Sequence, residues 1–538
     1  MEIYLDANAT TPVLPAAQAA ALACMSEQFG NPSSTHATGL RAHALLDDTR
    51  ARARRVLGIP TGQLLFTSGA TEGIQTAVLS ALMSLRGRDD VDCLLYGATE
   101  HKAVPAALHH WNRVLDLGLV VAPIPVDPQG RHELDWLRRH AGRAGLVCTM
   151  AANNESGVIS DLDGIAAALA DSPALWLVDG VQGLGKLDLR LAERRVDYAP
   201  FSGHKLYAPK GIGLLYVREG APFTPLMAGG GQEGGLRSGT ENMAGVAALG
   251  AVLTALEDGH TFASPALLAQ HRAHLTEALS EAFPGLVFNA PAALSLPTTL
   301  NFSVPGVASR LLLELFDAAG VRVSGGSACS AAQAAPSFVL EAMGLPAWQT
   351  GSAIRLSFGP LANEAFIDAA CARIRACGEV LRSQGRQGQR PPDATAHPVC
   401  APAGKPEQDL LCSVADVAAL AHRHPGLTLV DVHEAHEQGW DDERLDSLGL
   451  PRRRLPLSQW LDTPPGQQTR TVPEELPDTP LLFICRSGQR SAQAARRLRQ
   501  QGQPRAWSLA GGVALLPEAP AGARTATDAI GDRPSLPA

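Results

Sequence analysis

Lys205 ends an apolar run in "DYAPFSGHKLYAPKGIG", residues 197 to 213. A lysine in that setting can be a solvated loop residue, a phosphate contact or an amine made reactive by its surroundings. Other segments bear on the choice. "TSGATEG" at 67 to 73 follows an apolar run and opens a helical pattern, so the backbone N–H groups of Ala70 and Thr71 can face an anion at a helix N-terminus. A plain capping turn reads the same way. "LVDGVQ" ends another run with Asp179 and, three residues on, Gln182. A carboxylate at the C-terminal edge of a parallel sheet points into the crevice where such sheets bind ligands, although a turn-forming Asp is the plain alternative. "TEHKAV" adds His101, and "AANNESGV" adds Asn153 and Asn154. Cys329 sits in "GGSACSAAQAAPSF" among small residues with little packing value, a setting that suits a working thiol better than a core residue.

These residues fit one cofactor together. Pyridoxal phosphate needs an anion cradle, a carboxylate at the pyridine nitrogen, a donor at the phenolic oxygen, an aromatic face over the ring and a lysine for its aldehyde. From "YLDANATTPV" through "FGNPSSTHATG", "TSGATE", "TEHKAV", "NNESGV", "VDGVQGLGK", "FSGHKLYAPKGIG", "GGGQEGGLRSGT" and "SGGSACS" to "IRLSFG", about residues 1 to 383, the chain resembles the cysteine desulfurases. These are fold-type I pyridoxal-phosphate enzymes of the class V aminotransferase superfamily. The resemblance implies that Lys205 carries the cofactor, with Asp179 on the pyridine nitrogen and Gln182 at the phenolic oxygen. It implies that His101 stacks on the ring and assists proton transfer, with Asn154 close by. Ala70, Thr71, Ser202 and His204 would hold the phosphate, joined by Thr240 from the second subunit of a homodimer. Arg355 would clamp the substrate carboxylate with its planar fork. Cys329 would take the sulfur of L-cysteine as a persulfide, releasing L-alanine. Its seven-residue spacing to Pro336 is similar to the long-loop branch, in which the loop delivers sulfur to a partner.

A second thiol stands in "FICRSGQRS". Cys485 ends an apolar run and is followed by Arg486, Ser487, Gly488, Gln489 and Arg490, with a helix predicted to begin near Ser491. Converging N–H groups, a helix dipole and two guanidinium groups would stabilise a thiolate or persulfide there. This segment, with "LVDV" around Asp431 and "LAGGV" around Gly511, resembles a single-domain rhodanese with a six-residue sulfur-handling loop. His433 stands where rhodaneses often carry Arg, and no Trp follows Gly512. The combined expectation is a desulfurase that passes sulfur from Cys329 to Cys485 and on to a protein or small-molecule acceptor. The same scaffold serves selenocysteine lyases and cysteine sulfinate desulfinases. A non-enzymatic sulfur-carrier scaffold with a vestigial site is a further alternative, against which the full set of Lys205, Asp179, Gln182 and His101 counts.

Elements that could position these residues are legible as short apolar runs bounded by Gly, Pro, Asn or Asp and alternating with helical patterns from about residue 40 to 245. That is the signature of buried strands in a mainly parallel sheet. The expected fold class is α/β: a fold-type I large domain with a mainly parallel seven-stranded sheet over about 16–255, and a smaller α+β domain over about 1–15 and 256–383. "VRVSGG" is expected to be one of its strands. A Pro/Gly/Gln-rich flexible linker is expected at 384–408, a rhodanese-like α/β domain at 409–516, and a disordered Ala- and Pro-rich tail at 517–538. The formal net charge of -8 without a basic run gives no support for nucleic-acid or membrane binding. Nine cysteines without a CxxC pair argue against a disulfide framework or a zinc site. The N-terminus lacks a basic segment before an apolar core, which gives the expectation of a cytoplasmic protein.

Overall fold

The computed structural model describes residues 2–325, 336–383, 410–433, 442–457, 479–486, 488–500 and 502–516. Cys329, the segment 384–408 and the tail 517–538 lie outside the described residues. The chain divides into two compact units, Met1–Pro392 and Asp393–Ala538.

In the first unit seven strands form one sheet in the order Gln63–Thr67, Gly213–Val217, Tyr198–Ser202, Leu175–Asp179, Ala144–Met150, Cys93–Gly97 and Val120–Ile124. Gly213–Val217 runs antiparallel to both neighbours and the other pairings are parallel. Ala144–Met150 and Tyr198–Ser202 are buried at every position, because helices cover both faces of the sheet and leave no polar side for alternation. Helices Ala37–Leu57 and Met243–Asp258 pack on one face, joined through Ala53, Val246, Leu249 and Leu253 to the strand residues Phe66, Val178 and Phe201. Asn242 caps the second of these by accepting from Gly245 N at 3.0 Å, and Gly259, at φ 67°, ends it.

The remainder of this unit is built on a three-stranded antiparallel sheet, Val287–Phe288, Thr299–Ser303 and Ile354–Ser357, backed by helices Pro265–Ala282, Ser309–Ala318 and Glu364–Ser383. Its core includes Ile3 and Leu5 of the N-terminus beside Leu300, Phe302, Phe316 and Leu356. The expected strand "VRVSGG" is corrected here. Only Val321–Arg322 forms a strand, and it pairs in parallel with Ile3–Tyr4 in a separate ribbon, touching the antiparallel sheet through the Ser324–Arg355 bridge.

The second unit holds a five-stranded, all-parallel sheet in the order Leu411–Cys412, Ala506–Leu509, Leu481–Ile484, Thr428–Asp431 and Arg452–Arg454. The central strand alternates its burial between two cores: Leu481, Phe483 and Cys485 face one, Leu482 and Ile484 the other. Helix Gln489–Gln500 lies directly after the central strand. The sequence predicts a helix beginning near Ser491; it starts two residues earlier, so the last two residues of the Cys485–Arg490 stretch, Gln489 and Arg490, belong to its first turn. Gly488, at φ 82°, makes the sharp entry, and the good helix formers that follow continue it at once.

Candidate active site

Five of the expected site residues follow from sheet topology. Asp179 ends strand Leu175–Asp179, Ser202 ends Tyr198–Ser202, and His101 and Asn154 lie four residues past Cys93–Gly97 and Ala144–Met150. Lys205 closes the short turn after Ser202. All therefore face the crevice beyond the carboxyl ends of the parallel strands. They line one cavity of about 560 Å³, together with Ala70, Thr71, Gln182, His204 and Arg355.

The anion cradle is built by strand Gln63–Thr67 and helix Ala70–Ser84. The residue between them that enters the helix, Gly69, has φ 154° and ψ 179°, a region essentially restricted to glycine. Ser68 N donates to Glu72 Oε2 at 2.7 Å, which closes the turn and leaves the Ala70 and Thr71 amides at the open helix end. Ser202, 7% exposed, approaches from the neighbouring sheet edge. His204 meets Thr10 Oγ1 at 3.1 Å through Nδ1. Burial, then the charges of Lys205 and Lys210, brings His204 down to about 4, so it is neutral near pH 7.

Lys205 Nζ donates to the carbonyl oxygens of Asn8 and Ala9 at 2.7 and 2.8 Å, which aims the amine at the cavity's inner wall. Gln182 Nε2 donates to the same Asn8 oxygen at 3.2 Å. Asp179 accepts from Val181 N at 2.9 Å. Burial raises its carboxyl, opposed by that hydrogen bond and by the charges of His101 and Lys205. Such a carboxylate gains most from a cationic partner in the cavity, which is what a protonated pyridine nitrogen would be. His101 opens to the cavity mouth, yet the surrounding protein desolvates its ring and lowers its pKa. Its Nδ1 accepts from Ala103 N at 3.2 Å, which places the proton of the neutral ring on Nε2. The donor set thus fits pyridoxal phosphate: an amide cradle, a buried carboxylate, an amide donor, an imidazole and a lysine.

Arg355, 1% exposed, enters from strand Ile354–Ser357. Its Nη2 donates to Asp6 Oδ1 at 2.6 Å and its Nη1 to the Asn154 oxygen at 3.0 Å, and Nε has no hydrogen-bond partner among the described residues. Thr240 is not brought to this cavity. It is exposed just beyond Gly239, on a segment tied down by ion pairs Arg237–Glu72 at 2.9 Å and Arg50–Glu233 at 2.7 Å. Cys329 lies outside the described residues. Sequence reasoning missed Asp6, Asn8 and Lys186. The first two sit in the quoted "YLDANATTPV" without an assigned role, and Lys186 is four residues after Gln182, the spacing that lets helical-sense neighbours touch.

In the second unit Cys485 follows strand Leu481–Ile484 and is fully buried. Ser491 N donates to its Sγ at 3.4 Å. Arg490, 5% exposed, lies in the helix's first turn and Arg486 and Gly488 lie in the connecting turn; Ser487 and the side chain of Gln489 are outside the described residues. His433 Nδ1 meets Asp431 Oδ1 at 2.5 Å, at the end of the adjacent strand.

The aminotransferase class-V family model matches residues 3–369. A cysteine desulfurase of Gluconacetobacter diazotrophicus is 38% identical over 368 residues, spanning 68% of this chain and 90% of that protein. A solved NifS-like protein superposes with a TM-score of 0.64 at 32% identity, covering 71% of this chain and 100% of its own. A structure described as SspA in complex with cysteine gives a TM-score of 0.59 at 26% identity, covering 68% and 100% respectively.

Proposed function

This chain belongs to the aminotransferase class-V family, and from that premise we propose that it is a pyridoxal-phosphate-dependent cysteine desulfurase. The observation that carries the reading is the convergence of Lys205, Asp179, Gln182, His101 and Arg355 on one cavity with a helix N-terminus at its edge. Bound there, pyridoxal phosphate supplies an electron-poor ring that withdraws electrons from the substrate α-carbon. Ala70 and Thr71 N–H groups and the Ser202 hydroxyl hold the phosphate. Asp179 keeps a proton on the ring nitrogen, and Gln182 donates to the phenolic oxygen. Arg355 binds the carboxylate of L-cysteine. His101 would move a proton at the substrate through Nε2, and the Lys205 amine would serve the α-carbon.

Cys329 is the sulfur acceptor in this proposal, on the strength of its sequence setting. Its thiolate forms an S–S bond to the substrate sulfur as the Cβ–S bond breaks. The electron pair of that bond stays with the carbon fragment, which takes up protons and leaves as L-alanine. We further propose that Cys485 receives the outer sulfur, its thiolate attacking the Cys329 persulfide and Cys329 leaving as thiolate. Cys485 has no exposed surface, so this step requires the thiol to be uncovered first. The all-parallel sheet, the thiol after its central strand and the Ser491 N–H contact support a rhodanese-like reading of the second unit. We place the protein as a homodimer, with Thr240 of each subunit reaching the other's phosphate cradle.

Mass spectrometry of the Cys329 and Cys485 peptides after treatment with L-cysteine tests the scheme, with L-alanine release measured alongside. Persulfide on Cys485 that disappears in Cys329→Ser supports the relay. Persulfide on Cys329 alone removes the relay and leaves the desulfurase. No L-alanine from the pyridoxal-phosphate-loaded chain overturns both.

A further inference from the structure

We propose that Lys186 is a positioning residue of this site, holding the side-chain amide of Gln182 so that its NH2 group, and not its carbonyl oxygen, is presented to the cavity. The inference rests on the pyridoxal-phosphate reading above and adds a residue that does not touch the ligand itself. After strand Leu175–Asp179 the chain folds into consecutive tight turns. Gly183 N and Leu184 N donate to the Gly180 oxygen at 2.8 and 3.0 Å, and Lys186 N and Leu187 N both donate to the Gly183 oxygen at 2.9 Å. Residues 182 and 186 thereby fall on one side of the turn, and Lys186 Nζ donates to Gln182 Oε1 at 2.8 Å.

The two ends of the amide are fixed by neighbours of opposite character. An ammonium has donors only, so it can accept nothing from a flipped amide. The Asn8 carbonyl on the other side is an acceptor only, and it takes Gln182 Nε2 at 3.2 Å. A flip would set N–H against ammonium and oxygen against oxygen, so both contacts demand the same orientation. One amide hydrogen goes to Asn8 and the second is left for the phenolic oxygen of the cofactor. Gln182 lines the cavity whereas Lys186 does not, so Lys186 acts through it. The same Asn8 oxygen accepts from Lys205, which registers the amide donor and the reactive amine on a single atom.

Holding this ammonium inside the protein is costly. Burial, then the nearby charges of Lys205 and Arg355, brings Lys186 down to about 7, so the donor-only ammonium that orients the amide is the dominant form below that pH, and above it the neutral amine can accept from a flipped amide. Asp179, His101, His204, Glu72, Glu155, Lys102 and Lys210 are the other titratable groups lining the cavity. A cation placed there also favours the deprotonated state of the bound cofactor, which gives the inference a spectroscopic readout.

The test uses the full chain loaded with pyridoxal phosphate, comparing the unaltered protein with Lys186→Met, Lys186→Arg, Gln182→Ala and the Lys186→Met/Gln182→Ala pair. Each is titrated with pH on the visible absorption band of the bound cofactor, and cofactor affinity is measured by equilibrium dialysis. Lys186→Met is expected to weaken binding about tenfold, the scale of one charge-assisted hydrogen bond, and to move the band's pH midpoint upward. Lys186→Arg is expected to restore much of both. In the Gln182→Ala background Lys186→Met is expected to change affinity less than twofold, because the amide it orients is gone. An unchanged affinity and midpoint in Lys186→Met overturns the inference, and so does an equal loss in both backgrounds. Absence of the visible band from the unaltered protein sinks the cofactor reading first and this inference with it; a normal band that Lys186→Met leaves untouched sinks this inference alone.

Discussion

Arg355 is bound to Asp6, Nη2 to Oδ1 at 2.6 Å, where the N-terminal segment bridges to strand Ile354–Ser357 through Asp6 and Ser357. With Nη1 on the Asn154 oxygen at 3.0 Å, the fork is held from two sides before any substrate arrives. A guanidinium fixed in this way presents its remaining donors in one plane.

Geometry of this kind cannot be supplied by an ammonium. Arg355→Lys is expected to raise KM for L-cysteine by about a hundredfold while lowering kcat much less. Asp6→Asn keeps the shape and removes the charge, and about a tenfold rise in KM is expected. Steady-state L-alanine formation measures both. An unaltered KM in Arg355→Lys would remove Arg355 from substrate binding.

The cradle is sensitive to a single methyl group behind it. A Cβ on Gly213 would stand 2.4 Å from the Phe201 oxygen and 2.7 Å from Gly69 Cα, both backbone atoms. Gly213→Ala is therefore expected to cost about 1–3 kcal/mol of stability and to weaken pyridoxal phosphate binding more than tenfold by displacing Gly69. Gly142, with no atom within 4 Å of its added Cβ, is the control, and Gly142→Ala should leave both unchanged. Chemical denaturation and cofactor titration report the two effects.

His132 gives the fold an acid-sensitive point. Its ring is buried, neither ring nitrogen has a hydrogen-bond partner among the described residues, and burial lowers it to about 4. The unfolded chain takes up the proton below about pH 6.5, and the folded one only below about 4. Between those values the unfolded state binds more protons, so stability falls as the pH falls, by about 2 kcal/mol at pH 5 from this group. His132→Leu is expected to flatten the dependence between pH 7 and pH 5. Denaturant midpoints measured at the two pH values decide; a difference unchanged from that of the unaltered protein would rule the group out.

In the second unit Asp431 accepts from both the backbone and the ring of His433, at 3.0 and 2.5 Å. Asp431→Ala removes the one oxygen that accepts both hydrogen bonds in a buried site, and about 1–3 kcal/mol of that unit's stability should go with it. Scanning calorimetry should show a second-unit transition moving down while the first-unit transition stays in place. A shift of both together would mean that the two units unfold as one.

The cavity-lining constellation was legible because parallel strands announce their C-terminal ends. Asp179, Ser202, His101 and Asn154 each stand at or just past an apolar run bounded by Gly, Asn or Asp, and that position alone aims them into one crevice. What sequence reading missed was held by backbone or by distance. Asn8 serves through its carbonyl oxygen, which every residue type possesses, and it meets Lys205 across 197 positions. The "VRVSGG" run does hold a strand, but a shorter one than its length suggests, because two of its residues suffice to hold the N-terminus and the pairing is decided by Ile3 and Tyr4. Nor did the residues after Cys485 disclose its complete burial, which depends on how Ser491 and the following helix close over the thiol.

The N-terminal segment has a consequence for how the protein is made. Asn8 N donates to Ser357 Oγ across 349 positions, and Ile3 pairs with Val321, so this segment meets partners that are synthesised long after it. At the usual pace of synthesis those partners are completed roughly 20 to 70 s later. Partners nearer in sequence, the His204 oxygen for Thr11 N and the Tyr207 oxygen for Leu14 N, both at 2.9 Å, can hold the segment beside Lys205 before then. Strand Ile354–Ser357 thus adds the last ties to a segment already anchored beside the cavity, and a bulky fusion ahead of Ile3 would be felt first in those late ties.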